Sequence, residues 1–470
     1  MNKTYPQEYI QIINDLLIDQ APLFWQAVKE GSPAVGLRIN PFKTRVEDIQ
    51  NDIPGTLQHL AWSAHGYALQ DTHGLGKHPY HAAGLFYLQE PSAMVPVAVL
   101  DPQPGERVLD LCAAPGGKST QIQSRMGSKG ILIANDSNPS RVQSLSRNLE
   151  RWGAQNTAVL CETPDRLSKH LGDFFDRVLV DAPCSGEGTF RSDPGEINKW
   201  SPGFIQRCSR IQDEILWFAG KLVRPGGVLV YSTCTFNQDE NEAVVARFLE
   251  KCPDFYLDPI KPREGFSPGI QLQDRQINDL SGMVRIWPHL STGEGHFAAR
   301  MRRSGPAQHN PSRHPQDSSP LDPNRIRPYE IFFETALIKS TRTIPIQPGS
   351  SGLRVFGNRL YWTPADMPSL TGLNVRHWGW WLGTFKSDKF TPSPALGSAL
   401  SPEDAQKVIE FSLEEPRLIS YLRGSPLSGP WVERQSEGWA LVTCSGYSLG
   451  WGLIQRGRMK SYIPRWLRSN

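Results

Sequence analysis

Two cysteines, Cys184 and Cys234, each follow a short apolar run that is typical of a buried strand. Cys184 lies in DAPCSGEG, residues 181–188, and Cys234 lies in VYSTCTFNQDEN, residues 230–241. A thiolate is a strong nucleophile, and its pKa of about 8.5 when free is close enough to neutrality for catalysis. Because strands of this kind end at one edge of a parallel sheet, we expect both thiols to face one crevice. The alternative is that each cysteine is a small buried hydrophobic residue, the commoner fate of a free thiol.

A glycine-rich turn separates the first predicted strand of this region from its helix, in VLDLCAAPGGKST. A turn with few side chains lets a ligand approach the backbone, and ligands of open α/β sheets bind at the carboxyl ends of strands. The turn matches neither GxGxxG nor GxxxxGK[ST], so it predicts a cofactor loop without a specific phosphate cradle. The loop residues that we expect to bind the cofactor are Cys112, Ala113, Ala114, Pro115, Gly116, Gly117 and Lys118.

An acidic residue, Asp136, ends the second predicted strand in ILIANDSNPSR. In folds of this kind such an acid usually accepts hydrogen bonds from a ribose diol, so we expect Asp136 to bind the cofactor. Arg141 lies in the first turn of the next predicted helix, from which it can brace this acid or reach the ligand. The alternative for Asp136 is a helix N-cap, and one residue can serve in both ways.

From Arg107 onward, strand-like and helix-like runs alternate. The strands are short runs of Val, Leu and Ile without alternation, which is typical of strands buried on both faces. The pattern predicts an α/β fold with a doubly wound, mostly parallel Rossmann-like sheet. A helix is expected over 204–222, and the apolar runs 283–289 and 295–303 are expected to pair as an antiparallel hairpin at the sheet edge.

The composition is that of an ordinary globular chain, with 39% hydrophobic and 21% charged residues. The net charge of +3 permits a polyanionic partner without requiring one. With no signal-peptide pattern and no run of about 18 apolar residues, we predict a cytoplasmic protein that has no membrane partner. No CxxC pair occurs, so no metal site is expected, and the loop histidines are interpreted as surface residues. These histidines are His65, His73, His78 and His81.

The C-terminal tail combines cations with aromatic residues and contains no acidic residue after Trp451. Cations neutralise phosphates and flat rings stack on bases, so the tail suits single-stranded or irregular RNA. The alternative is a solvated basic face with aromatic residues in the core. The residues concerned are Trp451, Arg456, Arg458, Lys460, Tyr462, Arg465, Trp466 and Arg468.

Four segments resemble successive motifs of the Fmu/Sun family of S-adenosylmethionine-dependent RNA cytosine-5 methyltransferases: LDLCAAPGGKST, NDSNPSR, DAPCSGEGTFRSDP and GGVLVYSTCTFNQDENE. YLQEPSAM before them, with GMVRIWPH and GEGHFAARMRR after them, extends the resemblance over roughly residues 85–303. The C-terminal third resembles the additional RNA-binding region of the bacterial ribosomal-RNA branch, which ends in a PUA-like part. The resemblance implies S-adenosyl-L-methionine as cofactor and RNA, preferably 16S ribosomal RNA or the small ribosomal subunit, as partner. DNA is not expected.

The resemblance also implies roles for the catalytic residues. Cys234 is the expected nucleophile, which adds to carbon 6 of cytosine so that carbon 5 can take a methyl group, and Cys184 is expected to assist release. Asp181 is expected to hold a proton for N3 of the base and to lie near the cofactor. DNA cytosine-5 methyltransferases resemble the opposite arrangement, so the residues alone leave the two cysteine assignments open. Arg191 is expected to meet RNA phosphates, and Ser192 stands where ribosomal relatives often carry a basic residue.

At 470 residues the chain exceeds the roughly 250–300 residues of a single core, so several domains are expected. We expect an N-terminal helical, RNA-binding region over 1–100 and a methyltransferase domain over 101–303. A linker rich in Pro and Ser follows over 304–325, then an intermediate domain over 326–400 and a PUA-like, β-rich domain over 401–470. Three alternatives stay open: a transfer-RNA cytosine-5 methyltransferase, a non-catalytic ribosome-assembly factor, and a thiol enzyme acting on small molecules.

Overall fold

The computed structural model describes residues 5–31, 35–70, 74–272, 279–306 and 321–468. The elements of the N-terminal region are α1 (Gln7–Leu17), α2 (Ala21–Glu30), β1 (Val35–Ile39), α3 (Val46–Ile49), β2 (Leu57–His59), β3 (Gly66–Leu69), α4 (Pro79–Ala82), β4 (Phe86–Leu88) and α5 (Val95–Leu100). The opening helices were expected, but the part interpreted as loops also contains an antiparallel sheet in the order β2-β3-β1-β4. Its strands have three to five residues, too few to leave a clear alternation in the sequence.

The region after Arg107 forms the expected alternation of strands and helices. Its elements are β5 (Arg107–Asp110), α6 (Gly117–Met126), β6 (Ile131–Asn135), α7 (Pro139–Trp152), β7 (Thr157–Leu160), α8 (Pro164–Leu171), β8 (Phe175–Asp181), α9 (Pro202–Leu222), β9 (Val223–Thr233), α10 (Glu242–Lys251), β10 (Phe255–Leu257), β11 (Ser267–Pro268), β12 (Val284–Ile286) and β13 (His296–Arg303). The strands β9-β8-β5-β6-β7 lie side by side in that order and are parallel. The predicted doubly wound sheet is therefore confirmed.

The strand order reverses beside β5, because β6 and β7 follow on one side of it and β8 and β9 on the other. Such a switch point opens a crevice at the carboxyl ends of the strands, where ligands bind in open α/β sheets. Strand residues such as Leu109, Ile133, Val178 and Leu229 are fully buried. Burial on both faces explains why these strands read as continuous apolar runs.

The two outer edges of the sheet are closed by antiparallel strands. On one side β13 pairs with β9 and β12 pairs with β13, which confirms the predicted hairpin. On the other side a strand from the C-terminal region, Val375–Trp378, pairs with β7. Covering β7 removes a row of unpaired backbone groups that would otherwise invite association with another chain.

The C-terminal region contributes α11 (Pro323–Ala336), β14 (Leu353–Phe356), β15 (Arg359–Trp362), β16 (Val375–Trp378), β17 (Trp380–Lys386), β18 (Lys389–Pro392), α12 (Pro394–Ala399), β19 (Val408–Phe411), α13 (Pro416–Leu422), β20 (Leu427–Ser428), α14 (Pro430–Glu433), β21 (Gly438–Cys444), β22 (Tyr447–Gln455) and β23 (Arg458–Ser461). Two further sheets form here, in the orders β14-β15-β17-β18 and β19-β21-β22-β23-β20. The second packs on the N-terminal sheet, where Tyr447 and Thr44 hydroxyls lie 2.9 Å apart.

The C-terminal tail divides into core and surface residues. Trp451 is 1% exposed and its indole N–H donates to the carbonyl of Ser393, so for this residue the alternative of an aromatic side chain in the core is correct, and it does not stack on RNA bases. A large ring on the inner face of β22 gains more by burial than it would at the surface. Tyr462 is partly buried against Trp439. The tail cations Arg456, Arg458, Lys460, Arg465 and Arg468 are exposed.

Two of the loop histidines, His78 and His81, serve local structure, and His65 is exposed. The ring of His78 accepts a hydrogen bond from the Tyr80 backbone N–H, and the ring of His81 contacts the Arg151 guanidinium. His73 lies outside the described residues. Within the described ranges, no group of three His, Cys, Asp or Glu side chains is placed to hold a metal ion. Among those same residues, no helix has both the length and the apolar character needed to cross a membrane.

Candidate active site

The two cysteines meet because β8 and β9 are adjacent and parallel. Asp181 at the end of β8 lies opposite Ser232 near the end of β9, so the segments that follow leave the sheet side by side. The sulfur atoms of Cys184 and Cys234 are 3.4 Å apart, and both residues are partly exposed. Fifty residues of sequence separation thus become a direct contact between two thiols.

A buried carboxylate, Glu187, joins the loops that carry the two thiols. Its Oε2 accepts hydrogen bonds from the backbone N–H groups of Phe236 at 2.7 Å and Asn237 at 3.0 Å, just after Cys234. Its Oε1 accepts from the indole N–H of Trp200 at 2.9 Å. Glu187 is 2% exposed, so these charge-assisted bonds fix the loop after Cys234 in a dry environment.

A second buried carboxylate, Glu240, lies in the segment after Cys234 and binds the loop that carries Cys184. It is fully buried, and its Oε2 accepts from the backbone N–H of Ser185 at 2.9 Å, directly after Cys184. Burial raises the pKa of Glu240 above its usual value. Neither acid was predicted from the sequence; the available signal was an acid three residues after Cys184 and another six residues after Cys234.

The surroundings of Cys184 favour its protonated form. The hydrogen bond with Cys234, together with burial, raises the pKa of Cys184 well above that of a free thiol. Cys184 is therefore a protonated thiol at neutral pH. In that state it can donate a hydrogen bond to the Cys234 sulfur and stabilise negative charge there.

Asp181 lies at the centre of a polar network beside the thiols. Its Oδ2 accepts from the Lys118 ammonium at 2.7 Å, and its Oδ1 accepts from the Ser232 hydroxyl at 2.8 Å. His296 Nε2 is 3.4 Å from Oδ1. Burial alone would raise the pKa of Asp181, but the charge of Lys118 and the contact with His296 hold it well below its usual value. Asp181 is thus a carboxylate in the free protein.

One cavity of about 840 Å³ is lined by half of the predicted catalytic and cofactor-binding residues. Its lining includes Cys112, Asp136, Arg141, Asp181, Cys184 and Cys234, together with Ser192. Ile215 and Phe218 of α9 form an apolar wall. A volume of this size is typical of sites for ligands as large as a nucleoside, and the mixture of a strand-end carboxylate with an apolar wall fits S-adenosyl-L-methionine.

Asp136 and Arg141 interact with the glycine loop as well as with each other. Asp136 Oδ2 accepts from the Ala114 N–H at 3.2 Å and lies 3.4 Å from the Arg141 guanidinium, which also donates to the Ala114 carbonyl. The N-cap of α7 is Asn138, whose backbone N–H donates to Asp136 Oδ1. Asp136 therefore supports the helix start indirectly, and Arg141 braces the acid, one of the two roles expected for it.

The glycine loop itself turns partly away from the cavity. Ala113 and Ala114 are buried against α7, and the carbonyl of Pro115 accepts from the Asn148 side chain at 2.9 Å. Gly116 has φ +115°, and Gly117 begins α6. Of the loop residues from Cys112 to Lys118, Cys112 is in the cavity lining, whereas Lys118 reaches the site through Asp181. Burial and the neighbouring Asp136 raise the pKa of the Cys112 thiol, so it is no nucleophile.

Arg191 does not face the cavity. Its side chain is 8% exposed, pairs with Glu294 at 3.1 Å and donates to the carbonyl of Gly293. The predicted contact with RNA phosphates is therefore wrong, because the guanidinium is used inside the protein. The neighbouring Ser192 is exposed, and its hydroxyl donates to the carbonyl of Thr189.

Four family models match successive parts of the chain. They describe the N-terminal domain of 16S rRNA methyltransferase RsmF over 5–91, the 16S rRNA methyltransferase RsmB/F over 97–302, the first C-terminal domain of RsmF over 335–400 and the RsmF PUA domain over 408–469. The four matches follow one another along the chain in the same order as the regions of the structure.

Two relatives carry the name ribosomal RNA small subunit methyltransferase F. The protein from Erwinia tasmaniensis is 34% identical over 348 residues, which is 71% of each chain. The protein from Escherichia fergusonii is 39% identical over 277 residues; this alignment spans 57% of each chain, less than two thirds of that relative's length.

Solved structures show the same architecture. A methyltransferase homolog from Pyrococcus horikoshii is 28% identical, has a TM-score of 0.56 and covers 64% of this chain and 95% of its own. NSun6 from the same organism, crystallised with SFG, is 20% identical with a TM-score of 0.56, and shares the fold over 65% of this chain and 100% of its own.

The fold and the family model over 97–302 define a methyltransferase of the S-adenosyl-L-methionine-dependent class, so the cofactor prediction is confirmed. The chain belongs to the family of ribosomal RNA small subunit methyltransferase F. This confirms the resemblance to the ribosomal branch of the Fmu/Sun family, and the PUA model confirms the predicted character of the C-terminal end.

Proposed function

We propose that the protein methylates carbon 5 of a cytosine in 16S ribosomal RNA through a covalent adduct between Cys234 and carbon 6. The observation that carries the proposal is the 3.4 Å contact between the Cys184 and Cys234 sulfur atoms in the cavity that Asp136 and Asp181 also line. A cavity with one thiol for attack and a second thiol beside it suits a reaction that must first form and then break a carbon–sulfur bond.

Cys234 forms the bond to carbon 6, and the ring electrons make carbon 5 nucleophilic. S-adenosyl-L-methionine, when bound, supplies the methyl group that carbon 5 receives. Before attack, the Cys184 thiol and the nearby Lys118 ammonium stabilise negative charge on the Cys234 sulfur. A neutral Cys184 is the protonation state that its hydrogen bond with Cys234 and its burial favour.

Release requires loss of the proton on carbon 5. Once Cys234 is bonded to carbon 6, its sulfur carries no negative charge, so its hydrogen bond with Cys184 weakens and its charge no longer raises the Cys184 pKa, whereas burial still raises it. The Cys184 proton can then pass to solvent, and the Cys184 thiolate takes the proton from carbon 5. The electron pair left on carbon 5 restores the double bond and expels the Cys234 thiolate.

Asp181 is proposed to orient the target base. Because its pKa is held low, Asp181 carries no proton in the free protein and accepts hydrogen bonds from donors on the base instead. Attack on carbon 6 moves electron density toward N3, and the negative charge of Asp181 stabilises the base when N3 carries a proton. This refines the expectation that Asp181 itself holds the N3 proton: the proton must arrive with the base or from solvent.

The proposed partner is 16S ribosomal RNA, because the names of the relatives and family models refer to it. The PUA model over 408–469 supports RNA as the ligand of the C-terminal region. Carbon 6 becomes accessible to a thiol when the cytosine leaves its stack, so the target is an unpaired or flipped base.

We also propose that the chain folds as four separate domains, over residues 1–100, 101–303, 326–400 and 401–470, and that residues 304–325 are a linker.

The proposal is tested with RNA that contains 5-fluorocytosine, which lacks the proton needed for release. The wild-type protein should form a complex with this RNA that survives denaturation, and Cys234→Ser should form none. Cys184→Ala should accumulate the complex with ordinary RNA. Cys252→Ala is the matched control, because Cys252 is a buried thiol at the end of α10 and should behave as wild type. An undiminished complex in Cys234→Ser would refute the assignment.

A further inference from the structure

A second cavity of about 350 Å³ lies where three regions of the chain meet. It is formed by residues 76–82 of the N-terminal region, the second half of α7, and residues 466–468 of the C-terminal tail. We call it the basic cleft. Among the described residues, no Asp or Glu lines it, and its cations and polar groups include Lys77, Arg147, Asn148, Arg151 and Arg468, beside Trp466.

Arg151 is the most buried cation of the basic cleft. Its side chain is 8% exposed, and its guanidinium donates to the ring of His81 at 2.8 Å and to Asn148 Oδ1 at 3.0 Å. Within the described ranges it forms no ion pair with a carboxylate. Burial, with the charge of Arg151, lowers the pKa of His81 to about 3, so His81 is a neutral acceptor. A buried charge without a counter-ion is costly, and an anion in the cleft would offset that cost.

Arg147 and Trp466 form the mouth of the cleft. The Arg147 guanidinium carbon lies 5.8 Å from the centre of the Trp466 ring, and both side chains are partly exposed. Lys77 and Arg468 are exposed on either side. Neither Lys77, Arg147 nor Arg468 pairs with a carboxylate among the residues that the structure describes. Cations that lack partners beside an exposed indole ring fit phosphates with an adjoining base.

The basic cleft adjoins the cofactor loop. The Asn148 side chain lines the cleft and donates to the carbonyl of Pro115. Arg147 and Arg151 follow Arg141 of the catalytic cavity by six and ten residues on α7, which corresponds to roughly 9–15 Å along the helix axis. Both cavities therefore border the same helix, roughly two to three turns apart along its axis.

We propose that the basic cleft binds the phosphodiester backbone of an unpaired segment of the substrate RNA and stacks one of its bases on Trp466. The inference rests on the proposed function, since it takes RNA as the substrate. It differs from the prediction for the C-terminal tail, because Trp466 and Arg468 act here with Lys77 of the N-terminal region and two arginines of α7. The other tail cations contribute nothing to this cleft.

The test measures the affinity of the full chain for an unmodified 16S ribosomal RNA fragment by fluorescence anisotropy over a series of salt concentrations. Arg147→Ala should weaken binding and reduce the slope of log K against log salt by about 0.7, the value for one phosphate contact with a single strand. Trp466→Ala should raise Kd about 5- to 150-fold with little change in slope, because stacking involves no counterion release.

Arg263→Ala is the matched control. Arg263 is an exposed cation that lines neither the basic cleft nor the catalytic cavity, so its removal should leave both Kd and slope close to wild type. Circular dichroism should confirm that each variant is folded.

Two results would overturn the inference. One is equal weakening by Arg263→Ala and Arg147→Ala, which would indicate diffuse attraction by surface cations. The other is unchanged RNA affinity in Arg147→Ala while inorganic phosphate stabilises wild type alone, which would indicate a small-anion site. Failure of the proposed function is distinguishable: RNA binding would still depend on Arg147, but no methyl group would be transferred.

Discussion

Asp181→Asn should leave the Lys118 ammonium without its counter-ion at the edge of the catalytic cavity. The two groups are 2.7 Å apart, and their side chains are 11% and 28% exposed for Lys118 and Asp181, respectively. Removing one partner of a buried ion pair typically costs about 3–5 kcal/mol. Since Asp181 retains some contact with solvent, we expect Asp181→Asn to lower the free energy of unfolding by about 2–3 kcal/mol.

A double-mutant cycle isolates the contribution of the pair. Lys118→Met removes the cation, so the double variant should be more stable than the sum of the single losses predicts, with a coupling of about 1–3 kcal/mol. Urea unfolding of the four proteins at pH 7 measures these free energies. Methyl transfer should be lost in Asp181→Asn, because the base would lose the carboxylate that orients it.

The same pair predicts a pH dependence. Burial would raise the pKa of Asp181, but Lys118 and His296 hold it below the value of about 3.9 for an unfolded chain. A folded pKa below the unfolded one contributes stability that is present above the unfolded pKa and lost as the pH falls through the folded pKa. The difference in unfolding free energy between wild type and Asp181→Asn should therefore be constant near neutrality and shrink below about pH 4. A difference below about 0.5 kcal/mol at pH 7, or one that grows as the pH falls, would refute the reasoning.

Three further substitutions test other parts of the structure. Gly116→Ala should lower the free energy of unfolding in urea by about 1–3 kcal/mol, because φ at Gly116 is +115° and the new Cβ would lie 3.2 Å from Leu145 Cδ1. An unchanged free energy of unfolding would contradict this. Asp136→Asn should weaken S-adenosyl-L-methionine binding about 10- to 100-fold by calorimetry, since a charged hydrogen-bond acceptor is lost, whereas an unchanged Kd would exclude a ribose contact. Arg285→Met should lower the free energy of unfolding in urea by about 3–5 kcal/mol, because the fully buried Glu242 carboxylate would lose the cation that donates to it. A decrease below about 1 kcal/mol would show that the ion pair contributes little to stability.

The sequence was sufficient to predict the crevice, for a physical reason. Parallel strands end at one edge, so Asp136, Asp181, Cys184 and Cys234, each at or just after a strand end, had to converge. Strand-end position does not tell which cysteine is the nucleophile and which assists release, because either thiol can attack from such an edge. They came from the resemblance and are proposals until the adduct is mapped.

Other contacts depend on strand order, which local patterns do not encode. His296 reaches Asp181 because β13 pairs with β9, far along the chain from β8. Glu187 and Glu240 join the cysteine loops through backbone N–H groups, and an acid in a loop gives no sign in the sequence of being buried. Arg191 illustrates the same limit: its type suggested phosphates, but its partner Glu294 lies about a hundred residues away.

The N-terminal sheet and β16 were missed for related reasons. Strands of three to five residues carry too little periodicity, and β16 belongs to the catalytic sheet only through its pairing with β7, more than two hundred residues earlier. Trp451 shows that an aromatic residue beside cations can be core when it alternates inward on a strand.

The most direct test of the central claim is to identify the sulfur atom that bonds to cytosine. Protein trapped on RNA containing 5-fluorocytosine can be digested with protease and nuclease, and the modified peptide sequenced by mass spectrometry. The account predicts a nucleotide on the peptide that contains Cys234, with Cys184 recovered as a free thiol. A nucleotide attached to Cys184 would contradict it.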